Sequence, residues 1–274
     1  MDILDIIILV AIAISGTVFG SFFTLAVHRI PRKEDITHER SYCPKCNHKL
    51  NFLDLIPVFS YIFLGGKCRY CKEKIRPRYL LLEIFSGIVF LLLGLSYGIG
   101  YQTSAIHFIS FAILILFLCC VFITAGIDKE KYIIPNGVMI YGLIIAVSKV
   151  LLEKFFVGND IYPNMVGALA IPLILLLVNS FSRKCDSSKE VPFGEGDIKF
   201  LSIIGLFTGF GLQILIIAVS LILVLIFKVF EMIFNKENKQ IAWGFYLAIA
   251  TSMLLIVAPH ISATIEALNF MIVS

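Results

Sequence analysis

Five stretches of this chain run for more than 20 residues without a single Asp, Glu, Lys or Arg: 6–27, 84–126, 161–182, 200–227 and 241–265. About 20 apolar residues in a helix cross the hydrocarbon core of a bilayer. A bilayer admits only backbones that satisfy their own hydrogen bonds, and long runs without alternation suit helices rather than barrel strands. The rest of the composition agrees, with 59% apolar residues, only 15% charged and a mean hydropathy of +0.94, against roughly a quarter charged in a soluble domain. The expected fold is an all-α polytopic membrane protein with about eight transmembrane helices, near 5–27, 79–97, 105–127, 135–153, 161–181, 198–209, 211–234 and 241–259. Its first partner is the lipid bilayer.

The first apolar run does not read as a cleavable signal peptide. Its leading flank holds Asp2 and Asp5 where a signal peptide is basic, and it is too long. If the N-terminus lies outside, 21 of the 23 Lys and Arg residues fall on one side of the membrane and only Lys149 and Lys154 on the other. Basic residues collect on the cytoplasmic side, so the side that holds 28–78 is expected to be cytoplasmic, with the N-terminus outside. A net charge of +4 spread this way gives no reason to expect nucleic acid as a partner.

Three parts follow: a first transmembrane helix (1–27), a polar, cytoplasmic segment (28–78) and a membrane core (79–274). No sequence repeat is evident. Within the polar segment the apolar patch from Leu50 to Leu64, interrupted by Asp54 and Pro57, is too short to span. It is expected to pack on the neighbouring cysteines or to rest on the membrane surface with Phe52, Phe59 and Tyr61 near the headgroups. In the run 200–227, Thr208-Gly-Phe-Gly211 offers a break between a short helix and a longer one.

Cys43-Pro-Lys-Cys46 and Cys68-Arg-Tyr-Cys71 form two C-x2-C pairs, each able to turn two thiolates toward one tetrahedral ion, as a structural Zn2+ site requires. Lys45, Lys67, Arg69 and Lys72 would favour the thiolates. Two disulfides are the competing reading, disfavoured on the reducing side of the membrane. His48 is read as a surface histidine, Cys119 and Cys120 as packing residues, and Cys185 as an unpaired loop cysteine.

Carboxylates are rare in the membrane core, so each needs a reason. Asp128 closes the third span and Asp197 opens the sixth, both at the cytoplasmic edge. Two carboxylates at one depth can divide the labour of peptide hydrolysis, one ionised as general base for water and one protonated as donor to the scissile carbonyl. Gly194 and Gly196 flank Glu195 and allow close backbone approach. Asp197 is also a plausible dipole-favoured residue at a helix N-terminus, a reason that Asp128, at a C-terminal end, lacks. Glu83 lies one turn inside the second span, where Arg76 or Arg78 could pair with it or a polar cofactor could use it. Glu153, Glu231 and Glu266 read as solvated or snorkelling residues at span ends.

Taken in order, Gly20-Ser-Phe-Phe-Thr-Leu-Ala-Val-His-Arg-Ile-Pro31, the cysteine loop with Arg69-Tyr-Cys71, Ile127-Asp-(x6)-Pro135 and Gly194-x-Gly-Asp197-x-Lys199 resemble the signatures of bacterial type IV prepilin peptidases, aspartic membrane proteases of the GxGD type. The resemblance implies an endopeptidase that removes the short basic leader from prepilin or pseudopilin precursors and then methylates the new N-terminus with S-adenosylmethionine. It implies Asp128 and Asp197 as catalytic residues, supported by the loop of Gly194, Gly196 and Lys199, and Cys43, Cys46, Cys68 and Cys71 as the zinc set. Archaeal relatives resemble the core alone and act without methyl transfer. Departures from the pattern are Asn136 in place of an acidic residue, Leu80 in place of a proline, and Ala242-Trp-Gly-Phe245 in place of a Pro-Phe-Gly-Pro segment; none is expected to touch the aspartates. The rival readings are an ion- or proton-coupled transporter using Asp128 and Asp197, and a non-catalytic scaffold with a zinc docking loop.

Overall fold

The computed structural model describes residues 2–36, 40–185, 192–233 and 241–262. Eight long helices cover the expected spans: α1 (Ile3–Arg29), α3 (Arg78–Ser96), α4 (Ala105–Lys131), α5 (Asn136–Leu152), α6 (Tyr162–Cys185), α7 (Glu195–Thr208), α8 (Phe210–Ile233) and α9 (Trp243–Val257), with a one-turn α2 (Phe59–Phe63) in the polar segment. Among the described residues there is no strand, only the isolated bridges Tyr42–Lys49 and Lys67–Lys74. Six helices, α1, α3, α4, α6, α8 and α9, are long and apolar enough to cross a membrane. α5 and α7 have 17 and 14 residues and fall short of the ~30 Å hydrocarbon core at about 1.5 Å per residue. The short helix expected before Gly209 is α7, and α5 lies within the expected 135–153.

The chain divides into two compact units, residues 1–104 and 105–274. In the first, α1 packs along α3. A Cβ on Gly20 would lie 2.8 Å from the Glu83 Cα, and one on Gly16 would lie 2.9 Å from the Gly87 Cα, so small residues set this approach, as is common between membrane helices. Arg29, which ends α1, is buried and donates to the carbonyls of Asp35 at 2.7 Å and Arg40 at 3.2 Å. It thereby directs the chain out of the helix and into the cysteine-bearing segment. Glu83 accepts the Val58 N–H at 2.7 Å, so its partner is main chain of the polar loop rather than a nearby arginine.

In the second unit α4 packs against α5 and α9, and α7 against α5, α6 and α8. Phe117 of α4 and Phe207 of α7, both buried, stack with centroids 3.8 Å apart. α6 and α7 cross at Gly167 and Gly205, where a Cβ on Gly167 would lie 2.7 Å from the Gly205 carbonyl oxygen. The expected break falls at Gly209, whose φ of 77° and ψ of 165° suit glycine alone; α7 ends there and α8 begins at Phe210. Outward faces such as Leu221, Ile222, Leu225 and Ile226 of α8 are exposed, an apolar surface suited to lipid. Cys119 and Cys120 are buried in α4, the packing position expected, and Cys185 closes α6 rather than lying in a loop. Glu153 pairs with Lys149 at 3.0 Å and Glu231 with Lys228 at 3.1 Å; Glu266 lies outside the described residues.

Candidate active site

Four helix ends meet at one end of the second unit: the last turn of α4 and the first turns of α5, α7 and α9. α4 contributes Asp128, which is 5% exposed. α7 begins after Gly194 and places Asp197 in its first turn, where the free N–H groups favour an anion. The two aspartates interact electrostatically, so the expected pair is brought together. A side chain at Gly194 would put its Cβ 3.1 Å from Asp197 Oδ2, and one at Gly196 would put it 3.0 Å from the Ile134 Cβ. Both glycines therefore leave room for the chain around the carboxylates. Lys199 Nζ donates to Asn136 Oδ1 at 3.2 Å, linking α7 to the start of α5. Asn136 thus has a positioning contact.

The first turn of α9 is the part the sequence did not disclose. The Phe245 N–H donates to Asp128 Oδ2 at 2.9 Å, and the Gly244 N–H lies within interacting distance of both carboxylates. A Cβ on Gly244 would come 2.9 Å from Asp128 Oδ2 and 3.1 Å from Ile134 Cδ1. The segment Ala242–Phe245 therefore does touch the aspartates, against expectation. Asp128 has its dipole partner after all, supplied by the N-terminus of another helix. The signal available in the sequence was the only Trp of the chain beside a glycine. Trp243 packs its ring against Phe193, 5.5 Å between centroids, and Asn179 clamps Phe193 from both main-chain groups at 2.8 and 3.2 Å. Lys129 lies over the Phe245 ring at 4.0 Å. Asn179, Gly244 and Phe245 thus join the aspartates as parts of the site.

The four sulfurs of Cys43, Cys46, Cys68 and Cys71 lie within 4.8 Å of one another, with Cys43 and Cys71 at 3.8 Å. Zn–S bonds of about 2.3 Å in a tetrahedron place sulfurs about 3.8 Å apart, so the donor set fits zinc. Two turns of eight residues supply it, Tyr42–Lys49 and Lys67–Lys74. In each, the first Cys N–H donates five residues on, to His48 at 3.0 Å or Glu73 at 2.8 Å. In each, too, a left-handed residue, Asn47 or Lys72, follows the second Cys and donates back to the first at 2.8 or 3.0 Å. A short repeat is therefore present, C-x2-C followed by two residues and Lys, below the length at which the sequence alone made it visible. Burial works against the Cys43 thiolate, but the N–H groups of Cys46 and Lys45 outweigh it and lower its pKa to about 7. At Cys71 the Glu73 N–H lowers the pKa, while burial and the three neighbouring thiols raise it, to about 11. Arg69 is turned away from the sulfurs: its Nε donates to Asp54 at 2.6 Å. His48 stacks on Tyr70, 3.6 Å between centroids, outside the sulfur cluster, as expected of a surface histidine.

A helical membrane unit with paired aspartates at one end stands in a chain that also carries a four-cysteine cluster. Residues 14–97 match the bacterial peptidase A24 N-terminal domain and residues 115–229 the type IV leader peptidase family. The chain belongs to that family. It is 31% identical to a prepilin leader peptidase/N-methyltransferase of Klebsiella pneumoniae, over 72% of this chain and 83% of that protein. Its identity to a protein of the same name from Bacillus subtilis is 30%, over 72% of each chain, and to one from Vibrio cholerae 28%, over 75% of this chain and 79% of that one. No solved structure matches the chain. These relatives lend no support to the transporter and scaffold readings.

Proposed function

We propose that this chain is a bifunctional membrane enzyme, an aspartic endopeptidase that removes the leader from type IV prepilin-like precursors and methylates the N-terminus so produced. The observation that carries the peptidase half is the meeting of Asp128 and Asp197 at the first turn of α9. Asp128 accepts the Phe245 N–H, a hydrogen bond that favours the ionised form against its burial and suits it to act as general base for water. Asp197 then holds the proton and donates it to the scissile carbonyl oxygen as the tetrahedral intermediate forms. The bond to nitrogen breaks as the leaving amine takes up the proton that Asp128 has received, and a hydroxyl of the intermediate returns its proton to Asp197 as the acid product forms. The GxGD loop of Gly194, Gly196 and Lys199 keeps the approach to the pair open and its helix in register.

The four cysteines form a structural zinc site that folds residues 28–78 into a unit, while hydrolysis belongs to the core, residues 79–274. S-adenosylmethionine, when bound, supplies an electrophilic methyl group to the amine. Glu83, the span carboxylate available to a polar cofactor by sequence, accepts the Val58 N–H with one oxygen, which leaves its other oxygen able to accept a further donor. The 21-to-2 distribution of basic residues supports an orientation in the inner membrane with the N-terminus outside and the cysteine turns and both aspartates at the cytoplasmic side.

The test is cleavage of a purified prepilin by the reconstituted protein. Asp128→Asn and Asp197→Asn should each lower the rate by about 100-fold or more, the scale of a lost general acid or base, while membrane insertion is unchanged. Substantial turnover by either variant overturns the assignment.

A further inference from the structure

Between the two cysteine turns the chain presents Phe52, Leu53, Phe59, Ile62 and Phe63 outward, with Phe52 80% and Phe63 83% exposed. This surface is built, not left over from folding. Asp54, the residue that interrupts the apolar patch, turns inward with its side chain 3% exposed and is held by Arg69 Nε at 2.6 Å. Tyr70 OH donates to it at 3.2 Å and the Asn51 N–H at 3.1 Å. The polar group thus faces the cysteine turns and the phenylalanines face away.

The depth of this surface is fixed by one contact. Val58 adopts φ 63° and ψ −54°, a conformation β-branched residues rarely take, and its N–H donates at 2.7 Å to Glu83. Glu83 is five residues into α3, about 7.5 Å along the axis from Arg78 at 1.5 Å per residue. Val58 is thereby held against the second turn of a membrane-spanning helix, and α2 starts with the next residue, Phe59. In the stretch that follows the patch, Lys67, Lys72, Lys74 and Arg76 are exposed. Apolar side chains at the end of a span, followed in the chain by exposed lysine and arginine, match the boundary between acyl chains and anionic headgroups.

We propose that residues 52–63 form an interfacial anchor. Phe52, Leu53, Phe59, Ile62 and Phe63 enter the bilayer in the leaflet where α1 ends and α3 begins, and the basic residues lie on anionic headgroups. The anchor holds the four-cysteine turns against the membrane surface. This goes beyond the peptidase reading and stands without it, since it requires only that α1 and α3 cross the bilayer.

The full-length protein carrying the photo-crosslinker p-benzoyl-phenylalanine in place of Phe52, Phe63 or Lys45 is reconstituted in phosphatidylglycerol–phosphatidylethanolamine nanodiscs, with or without a prepilin, and irradiated. The expected result is lipid adducts at 52 and 63 by mass spectrometry, at least fivefold above those at the exposed position 45. Exchange of phosphatidylglycerol for phosphatidylcholine should lower their yield at least twofold. Crosslinks from 52 and 63 mainly to prepilin or to another part of the chain, or adducts no more frequent than at 45, overturn the anchor. A yield indifferent to lipid charge overturns the role of the basic residues. Because both substituted phenylalanines are exposed and aromatic replaces aromatic, a folding defect is not expected; metal content of the variants, equal to wild type, checks this.

Discussion

The main-chain N–H of Phe245 donates to Oδ2 of Asp128 at 2.9 Å, across a separation of 117 residues. One carboxylate at the C-terminal end of its own helix is therefore held by the N-terminal end of another. The first turn of α9 offers N–H groups that have no partner within the helix. Placing them on the paired aspartates satisfies the donors and fixes the acceptors. Such main-chain positioning holds reacting groups without adding a side chain that could titrate or move.

Gly244→Ala tests this relation. The added methyl would stand 2.9 Å from Asp128 Oδ2 and 3.1 Å from Ile134 Cδ1, so the helix end or the carboxylate must shift. A displacement approaching 1 Å costs on the order of 100-fold in rate. Cleavage should fall by at least 10-fold with a displaced pH–rate profile, while Gly137→Ala, where a Cβ meets open space, stays within twofold of wild type. An unchanged profile and rate for Gly244→Ala would remove α9 from the site.

For the metal centre, the purified protein should hold about one zinc per chain, and Cys68→Ser should lose most of it. Zinc affinity, measured by competition with a chromophoric chelator, should rise steadily from pH 6 to 9. The sign follows from the thiols: Cys71 keeps its proton up to about 11 and Cys43 up to about 7, so binding must displace protons that a higher pH has already made easier to remove. A flat profile speaks against thiolate ligands.

The Asp54–Arg69 contact gives a second pH signature. Burial raises the Asp54 carboxyl, but the Asn51 N–H and Arg69 together hold it below its ordinary value of 3.8. A carboxylate depressed in the folded state contributes fully above that ordinary value and loses its contribution as pH falls through the folded one. The difference in unfolding midpoint of residues 28–78 between wild type and Asp54→Asn, followed by hydrogen exchange, should therefore be constant from pH 7 to 5 and shrink below about 3.8. Arg69→Ala at pH 7 leaves a buried carboxylate short of a partner and should lower protection across 50–70 by about 10-fold.

Orientation is checked by labelling. Single reporters at residues 36 and 76 should be accessible only from the cytoplasm and those at 98–103 and 155–160 only from outside, as the 21-to-2 charge distribution requires. Labelling of residues 36 and 76 from outside would invert the chain and place the cysteines in an oxidising compartment.

Much of this architecture was readable in the amino acids because membrane helices are specified locally: an uncharged run dictates a helix wherever it ends up. The break at Gly209 and the gathering of four cysteines followed from residue type and spacing, whereas the pairing of Asp128 with Asp197 rested on the resemblance of their two motifs to those of prepilin peptidases. What escaped reading was contributed by main chain. The N–H groups of Gly244 and Phe245 carry no side-chain signature, and Val58, an ordinary apolar residue in sequence, takes a positive φ in a three-residue turn closed by Phe59 N–H on the Pro57 carbonyl, with its own amide on Glu83.

The twin cysteine turns bury Cys43 and Cys68 and leave Cys46 and Cys71 exposed, so each turn gives its first sulfur to the interior and its second to the outside. An ion held between them has a sealed hemisphere and an open one. Loss of metal is then a directional event: a chelator, an oxidant or a competing thiol reaches the outer pair first and peels the ion away from it. The inner pair, whose main-chain N–H groups are tied to the carbonyls of His48 and Glu73, would be the later of the two to let go.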